Sequence, residues 1–378
     1  MRIGFDASVA SGQPGGTGTY AVQLLNALIS QRPDWTFFLY FRRADQPNPL
    51  LTMPSGNSNV HRVTVPGSPN TWRVQVALPR RLRQDRIDVY HSPGPFLPLR
   101  WRGPKVVTIH DLNIYLNVRN WLRPKTLLAW ADLALETPFS ARAARRVITA
   151  SDAARADLQR LLRVPRDAIR VIPDAPDPFF DGAPSPEELS AVQGITSDKP
   201  FVLFVGVLSP QKNLRRLLLA FAKSSLPAEG INLVLAGRDE SDYGAVLRGL
   251  ARRLNIDSLL KLPGYVPRST LRGLYAGALC LVLPSHGEGF GLPVVEAMAL
   301  GAPILAANRQ AIPEVVGAGG LLFDPTDSAE LATLLNRVWL DAPLRRDLSE
   351  RARLRRKDFS WEKTAALTAD VYLEAARG

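Results

Sequence analysis

The chain has 378 residues, too many for one small core and about right for two domains of ordinary size. Hydrophobic residues make up 46% and charged residues 22%, which excludes bulk disorder, and a single cysteine, Cys280, excludes an internal disulfide or a cysteine-based metal cluster. The net charge of +12 is concentrated early, with 24 Lys and Arg against 13 Asp and Glu in residues 1–180 and 23 against 22 beyond; the aromatics do not interleave with the basic residues in a stacking pattern, so of the partners such a field suits, nucleic acid is the weakest and none is expected, leaving an anionic membrane surface or a phosphorylated substrate.

The chain opens on a strand, Met1-Arg-Ile-Gly-Phe-Asp, without a basic-then-apolar leader, and no apolar run approaches the ~20 residues of a membrane span. The expected location is the cytoplasm, with peripheral contact at the inner face of the membrane. After the strand comes Gly12-Gln-Pro-Gly-Gly-Thr-Gly-Thr-Tyr, with a helix expected to begin near Tyr20. Gly15, Gly16 and Gly18 would let backbone amides approach a bound group, and the helix terminus would favour an anion. The next strand, Thr36-Phe-Phe-Leu-Tyr-Phe, runs into Arg42 and Arg43, where a dinucleotide dehydrogenase needs an acidic residue; this counts against NAD. Arg73 to Arg86 puts several arginines around an apolar helical face broken at Pro79, which reads either as a contact with anionic lipid or as a solvated surface helix.

Strands at Val89-Tyr-His, Lys105-Val-Val-Thr-Ile-His, Arg146-Val-Ile-Thr-Ala and Arg170-Val-Ile-Pro continue a rhythm that implies a parallel sheet covered by helices. His110 and Asp111 end one of these strands, where ligands of open α/β sheets bind, so His110 is a candidate for substrate contact. His91 precedes a proline turn and reads as structural. Five prolines between Pro173 and Pro186 mark a stiff linker, giving domains 1–178 and 179–358. The terminal stretch 359–378 has a helical pattern.

The strand rhythm restarts at Phe201, Asn232, Leu259, Cys280 and Ala302. After Phe204-Val-Gly, Lys212 enters a helix expected near Asn213, which would set an ammonium beside phosphate oxygens; the P-loop spacing is absent. The most specific segment is Pro284-Ser-His-Gly-Glu-Gly-Phe-Gly-Leu-Pro-Val-Val-Glu-Ala-Met. Glu288 lies in a glycine-crowded turn and Glu296, separated from it by seven residues, in a helix headed by Pro293. Amides at Gly291, Leu292 and Val294 are expected to face a phosphate, and Glu296 to accept from ribose hydroxyls.

From Glu288 through Glu296 the chain resembles the large retaining glycosyltransferase family four, of GT-B fold, and the resemblance covers nearly the whole length. Gly15-Gly16-Thr-Gly18 resembles its acceptor-side glycine loop, His110-Asp111-Leu its catalytic-loop histidine, and Leu262-Pro-Gly-Tyr-Val-Pro the loop that holds the nucleobase through backbone groups. The resemblance implies an α/β fold of two Rossmann-like doubly wound domains facing across a cleft, with the terminal helix crossing back to the first. It implies metal-independent, retaining transfer of a hexose from a nucleotide diphosphate sugar to a glycan or lipid-linked acceptor, the donor being a co-substrate and no cofactor being needed. His110, Glu288 and Lys212 would serve the reaction. Gly206, Lys212, Tyr265, Val266, Gly289, Phe290, Gly291, Leu292 and Glu296 would hold the donor, while Gly15, Gly16, Gly18 and Asp111 would line the acceptor and sugar loop.

Thr108-Ile-His-Asp-Leu and Pro210-Gln-Lys-Asn resemble the mannosyl- and rhamnosyltransferase branch and favour GDP-mannose. Two departures stand out. Val207 and Gln211 replace arginines common in the family, leaving Lys212 to carry the phosphate charge alone or with Arg215 or Arg216. Pro173-Asp174-Ala175 replaces the usual Pro-Asn-Gly of the linker. The alternatives are a nucleotide-sugar 2-epimerase of the same architecture, which would need acid/base groups not visible here, and a non-catalytic nucleotide-sugar-binding homologue.

Overall fold

The computed structural model describes residues 1–10, 15–42, 51, 59–67, 70–116, 127–239 and 242–377. The chain divides into two compact units: one runs from Met1 to Ala175 and resumes at Ser360, the other is Pro176–Phe359. Each is an α/β unit on its own parallel sheet.

In the first unit the strands are β1 (Arg2–Asp6), β2 (Thr36–Phe41), β3 (Val60–Thr64), β4 (Val89–Ser92), β5 (Lys105–Thr108), β6 (Arg146–Thr149) and β7 (Ile169–Val171). They pair in parallel in the order β3-β2-β1-β4-β5-β6-β7. The second unit carries β8 (Phe201–Val205), β9 (Asn232–Ala236), β10 (Leu260–Gly264), β11 (Cys280–Leu283), β12 (Ile304–Ala307) and β13 (Leu321–Phe323), in the order β10-β9-β8-β11-β12-β13. In both sheets the winding reverses beside the first strand, so β1 lies between β2 and β4, and β8 between β9 and β11. Loops leaving adjacent strands at such a reversal diverge and open a crevice at the carboxyl ends.

Composition explains which strands are central. β8, β9, β11 and β12 are fully or almost fully buried, as strands covered by helices on both faces must be. Two edge strands escape the sequence reading. β3 is Val-His-Arg-Val-Thr with only Val63 buried, and β13 is three residues long. Cys280 begins β11, and burial pushes its thiol up to about 12, so it is inert at neutral pH.

Three local expectations are corrected. The first helix spans Gly16–Gln31 and so begins four residues before Tyr20; Thr19 N–H donates to Gly15 O at 2.9 Å, and Tyr20, Leu24, Leu25 and Leu28 fill the core. Gly16 and Gly18 therefore belong to its first turn and Gly15 to its cap, while Gly12, Gln13 and Pro14 lie outside the described residues, as does Arg43.

Second, the stretch around Pro79 is not broken. Asn70–Trp72, a widened π turn at Arg73–Ala77 and the helix Leu78–Gln84 run on continuously, with Leu78 N–H donating to Arg73 O. The wide turn takes up the frame that Pro79, lacking an N–H, cannot close. Its apolar residues Val74, Leu78 and Leu82 are in the core, and buried Arg73 meets Asp6 at 3.3 Å, so this helix does not offer lipid an apolar face ringed by free arginines.

Third, the linker passes between units at Ala175 and Pro176 rather than after residue 178. The terminal helix Trp361–Arg377 packs on Gly16–Gln31, β4 and β5 of the first unit. Among the described residues no helix is long and apolar enough to cross a membrane.

Candidate functional site

The second unit gathers most of the expected residues at the carboxyl ends of β8 and β11, which are neighbours in the sheet though far apart in sequence. Gly206 directly follows β8, and its N–H donates to Ala236 O at 3.0 Å. Facing it, Gly237 approaches so closely that a Cβ would stand 1.9 Å from Gly206 O, which only glycine permits. The chain then makes a tight turn, Pro210–Lys212, and Asn213 takes a left-handed conformation at φ 55° before the helix Leu214–Lys223. Lys212 thus precedes that helix rather than entering its first turn. Asn tolerates the left-handed backbone, and its buried amide ties three loops together by donating to Pro284 O at 3.1 Å and Pro325 O at 2.9 Å.

Lys212 is held against the motif loop. Its Nζ donates to Glu288 Oε1 at 2.6 Å, and the Ser285 hydroxyl donates to the same oxygen at 2.6 Å. Gln211 Nε2 donates to Gly287 O at 3.3 Å, so the residue standing where relatives often carry arginine here tethers the two loops. Arg215 is exposed and Arg216 partly buried in the following helix. Arg216 lies close enough to join burial and Arg309 in pulling the His286 imidazole below its ordinary value.

The loop ends at Gly291, at φ 102°, which caps the helix Leu292–Ala299 with Pro293 in its first turn. The expectation of three free amides is corrected to two. Val294 N–H is spent on Gly291 O at 2.8 Å, while the N–H groups of Gly291 and Leu292 head the helix. Gly289 and Phe290 are buried, and the Phe290 ring packs edge-on against Phe359 at 5.6 Å.

Glu296, one turn in, accepts from Tyr275 Oη at 2.8 Å. Burial is the largest influence on its carboxyl and holds it up at about 7, opposed by the Tyr275 hydrogen bond. Tyr265 is exposed and Val266 half-buried in the loop after β10, where Gly237 N–H donates to Gly264 O at 2.9 Å.

In the first unit His110 follows β5. Its ring stands edge-on to Tyr20 at 4.6 Å, its Nδ1 is 3.5 Å from Asp174 Oδ2, and its buried Nε2 has no partner. Burial pulls the imidazole down to about 4 and pushes Asp174 up to about 8, so both are neutral at pH 7. Asp111 Oδ1 accepts from Asn113 N–H at 2.9 Å and caps the short helix Asn113–Leu116. His91 is enclosed, with Tyr372 Oη 2.6 Å from Nδ1 and Thr108 Oγ1 2.8 Å from Nε2, a packing role. Gly15 and Gly16 are exposed at the head of the first helix and Gly18 is buried.

Sequence reasoning missed Ser285, Tyr275 and the contact of Asp174 with His110. Ser285 had a signal, a hydroxyl three residues before a turn carboxylate; Tyr275 reads only as a core position on an amphipathic helix. Among the described residues no group of three or more His, Cys, Asp or Glu is placed to hold a metal.

Sequence profiles described as Glycosyltransferase Family 4 and as Glycosyl transferases group 1 match residues 14–178 and 185–355. The O-antigen chain mannosyltransferase B of Escherichia coli is 33% identical over 303 residues, covering 78% of this chain and 77% of that one. A D-inositol 3-phosphate glycosyltransferase of Xylanimonas cellulosilytica is 28% identical over 97% of this chain and 93% of its own length. Among solved structures, the sucrose-phosphate synthase of Thermosynechococcus elongatus superposes with a TM-score of 0.78 at 23% identity, over 99% of this chain and 98% of that one. Two doubly wound units, a glycine-turned motif helix and this degree of likeness lead to one conclusion: the chain belongs to glycosyltransferase family 4, of the group 1 type and GT-B fold, and is a glycosyltransferase.

Proposed function

We propose that the protein moves mannose from GDP-mannose, with retention of configuration and without a metal, onto a glycan or lipid-linked acceptor. The observation that carries the reading is the convergence of Lys212 and Ser285 on Glu288 Oε1 beside the head of the motif helix. An ammonium and two helix-terminal amides there suit the departing diphosphate, because they oppose charge where it develops. Arg216 adds to that field. With Oε1 occupied, Glu288 Oε2 is left to accept from a sugar hydroxyl, and Glu296 accepts from the ribose.

Gly206 and Gly289 let the donor come close, and the backbone of Tyr265 and Val266 borders the base. His110, neutral at pH 7, hydrogen-bonds the sugar through Nε2. The Gly15–Gly18 segment and Asp111 border the acceptor. The basic first unit, with Arg80, Arg83 and Arg86 exposed, suits a lipid-linked acceptor at an anionic membrane surface, and the name of the Escherichia coli relative supports mannose.

A panel of GDP-mannose, UDP-glucose, UDP-N-acetylglucosamine, ADP-glucose and dTDP-rhamnose tests this by thermal shift, with Mg²⁺ and with EDTA. A ligand at a hundred times its Kd adds about 2.7 kcal/mol of stability. The expected result is a shift with GDP-mannose alone, indifferent to EDTA and lost in Glu296→Ala, followed by an axial mannoside on NMR of the product. A shift that requires Mg²⁺, or an equatorial product, overturns the metal or the stereochemical part; a shift with another donor overturns mannose.

A further inference from the structure

Tyr275 belongs to the helix Arg268–Gly277, which follows the loop of Tyr265 and Val266. The side chain is completely enclosed, packed edge-on against Phe180 at 5.6 Å. A buried phenol must place its proton, and here it donates to Glu296 Oε2 at 2.8 Å on the neighbouring motif helix. The two helices lie side by side, so this bond fixes the carboxylate plane from behind.

We propose that Tyr275 is a positioning residue for nucleotide recognition: by holding Oε2 of Glu296 it turns Oε1 outward as the acceptor for the donor's ribose hydroxyls. This rests on the reading of Glu296 given above. The surrounding charges support the assignment. Burial raises the Glu296 carboxyl, the Tyr275 bond lowers it, Asp177 raises it and Arg268 lowers it; Arg268 in turn pairs with Asp177. The Tyr275 bond therefore shifts Glu296 toward its accepting, ionised form in a place where burial favours the acid, and it also removes the freedom to rotate. A carboxyl that gains a proton offers its hydroxyl as a donor and loses half its accepting capacity.

Calorimetric titration of the full chain with GDP and UDP, each beside its 2′,3′-dideoxy form, tests the assignment in wild type, Tyr275→Phe and Glu296→Ala. In the wild type, loss of the ribose hydroxyls should weaken binding about tenfold. In Tyr275→Phe, which keeps the ring, affinity for the intact nucleotide should fall about tenfold, and the penalty for the dideoxy form should shrink by about threefold or more, a coupling that a merely structural role would not produce.

The pH profile moves as well. Binding weakens as pH falls through the Glu296 pKa, and removing the hydrogen bond that lowers that pKa shifts this limb to higher pH. Fluorotyrosine at position 275, a stronger donor that preserves packing, should shift the limb to lower pH and covers the case in which the Phe variant does not fold. If Glu296→Ala binds both nucleotide forms like the wild type, the ribose reading itself fails. If Glu296→Ala loses the discrimination while Tyr275→Phe keeps wild-type affinity, ratio and pH limb, the positioning role is overturned.

Discussion

The carboxyl of Asp174 is enclosed, with Oδ2 3.5 Å from His110 Nδ1 and Oδ1 without a partner. Relatives usually carry Asn in this Pro-Asn-Gly position, and the departure concerns the environment of His110 rather than linker geometry alone. Burial raises Asp174 to about 8 from an ordinary 3.8, so the folded chain holds a proton that the unfolded chain releases above pH 4. Stability contributed by this group consequently falls as pH rises from about 4 through 8. His110, lowered to about 4, works oppositely between pH 4 and 6.5, but it is present in both proteins compared and largely cancels. Asp174→Asn keeps the shape and removes the titration. Its stability should exceed that of the wild type by at least about 2 kcal/mol at pH 9 and approach it at pH 4, read from denaturant midpoints across that range. A difference that does not change with pH would mean the carboxyl is not held as its acid.

At the scale of the element, the motif helix depends on one backbone conformation. Gly291 at φ 102° turns the chain from the Glu288 loop into Leu292–Ala299, and a Cβ there would lie 2.8 Å from Ile312 Cδ1. Gly291→Ala should cost about 1–2 kcal/mol of stability from backbone strain and weaken donor binding, since the same turn aims the Leu292 amide and Glu296; melting and GDP titration read both. An alanine variant with wild-type melting and affinity would sink the argument. This turn was legible because glycine, proline and carboxylate identities specify it locally. The central strands were legible too, being apolar runs that only a doubly covered sheet accommodates. β3 was not, because an edge strand need bury only Val63 and carries His61 and Arg62 without penalty. The start of the first helix was misplaced because glycines at 16 and 18 argue against helix by propensity, whereas packing of Tyr20 and Leu24 decides it. The Lys212–Glu288 pair spans 76 residues and became visible only with the β8–β11 neighbourhood.

At the scale of the molecule, the first unit is assembled from both ends of the sequence. Its core takes Trp361, Ala365, Ala369, Tyr372 and Ala375 from the terminal helix, whose Tyr372 closes the hydrogen-bond chain through His91 and Thr108 to Tyr20. Thr364 Oγ1 donates to Pro173 O at 2.7 Å, and Glu374 receives both Arg146 and Arg170. Deleting the helix removes two large buried aromatics, each worth about 3–5 kcal/mol, and leaves Nδ1 of the buried His91 without its Tyr372 partner, against a typical domain stability of about 5–15 kcal/mol. The second unit, Pro176–Phe359, holds its own sheet and all the residues proposed to bind the donor, from Gly206 to Glu296. A chain ending at Phe359 should therefore lose hydrogen-exchange protection throughout β1–β7 and retain it in β8–β13. It should bind GDP with an affinity within about threefold of the full chain and transfer no sugar, because the acceptor-side residues and His110 have lost their scaffold. Retained protection in β1 and β4 would show that the first unit folds without its distant helix, and loss of GDP binding would show that the donor site depends on residues outside the second unit.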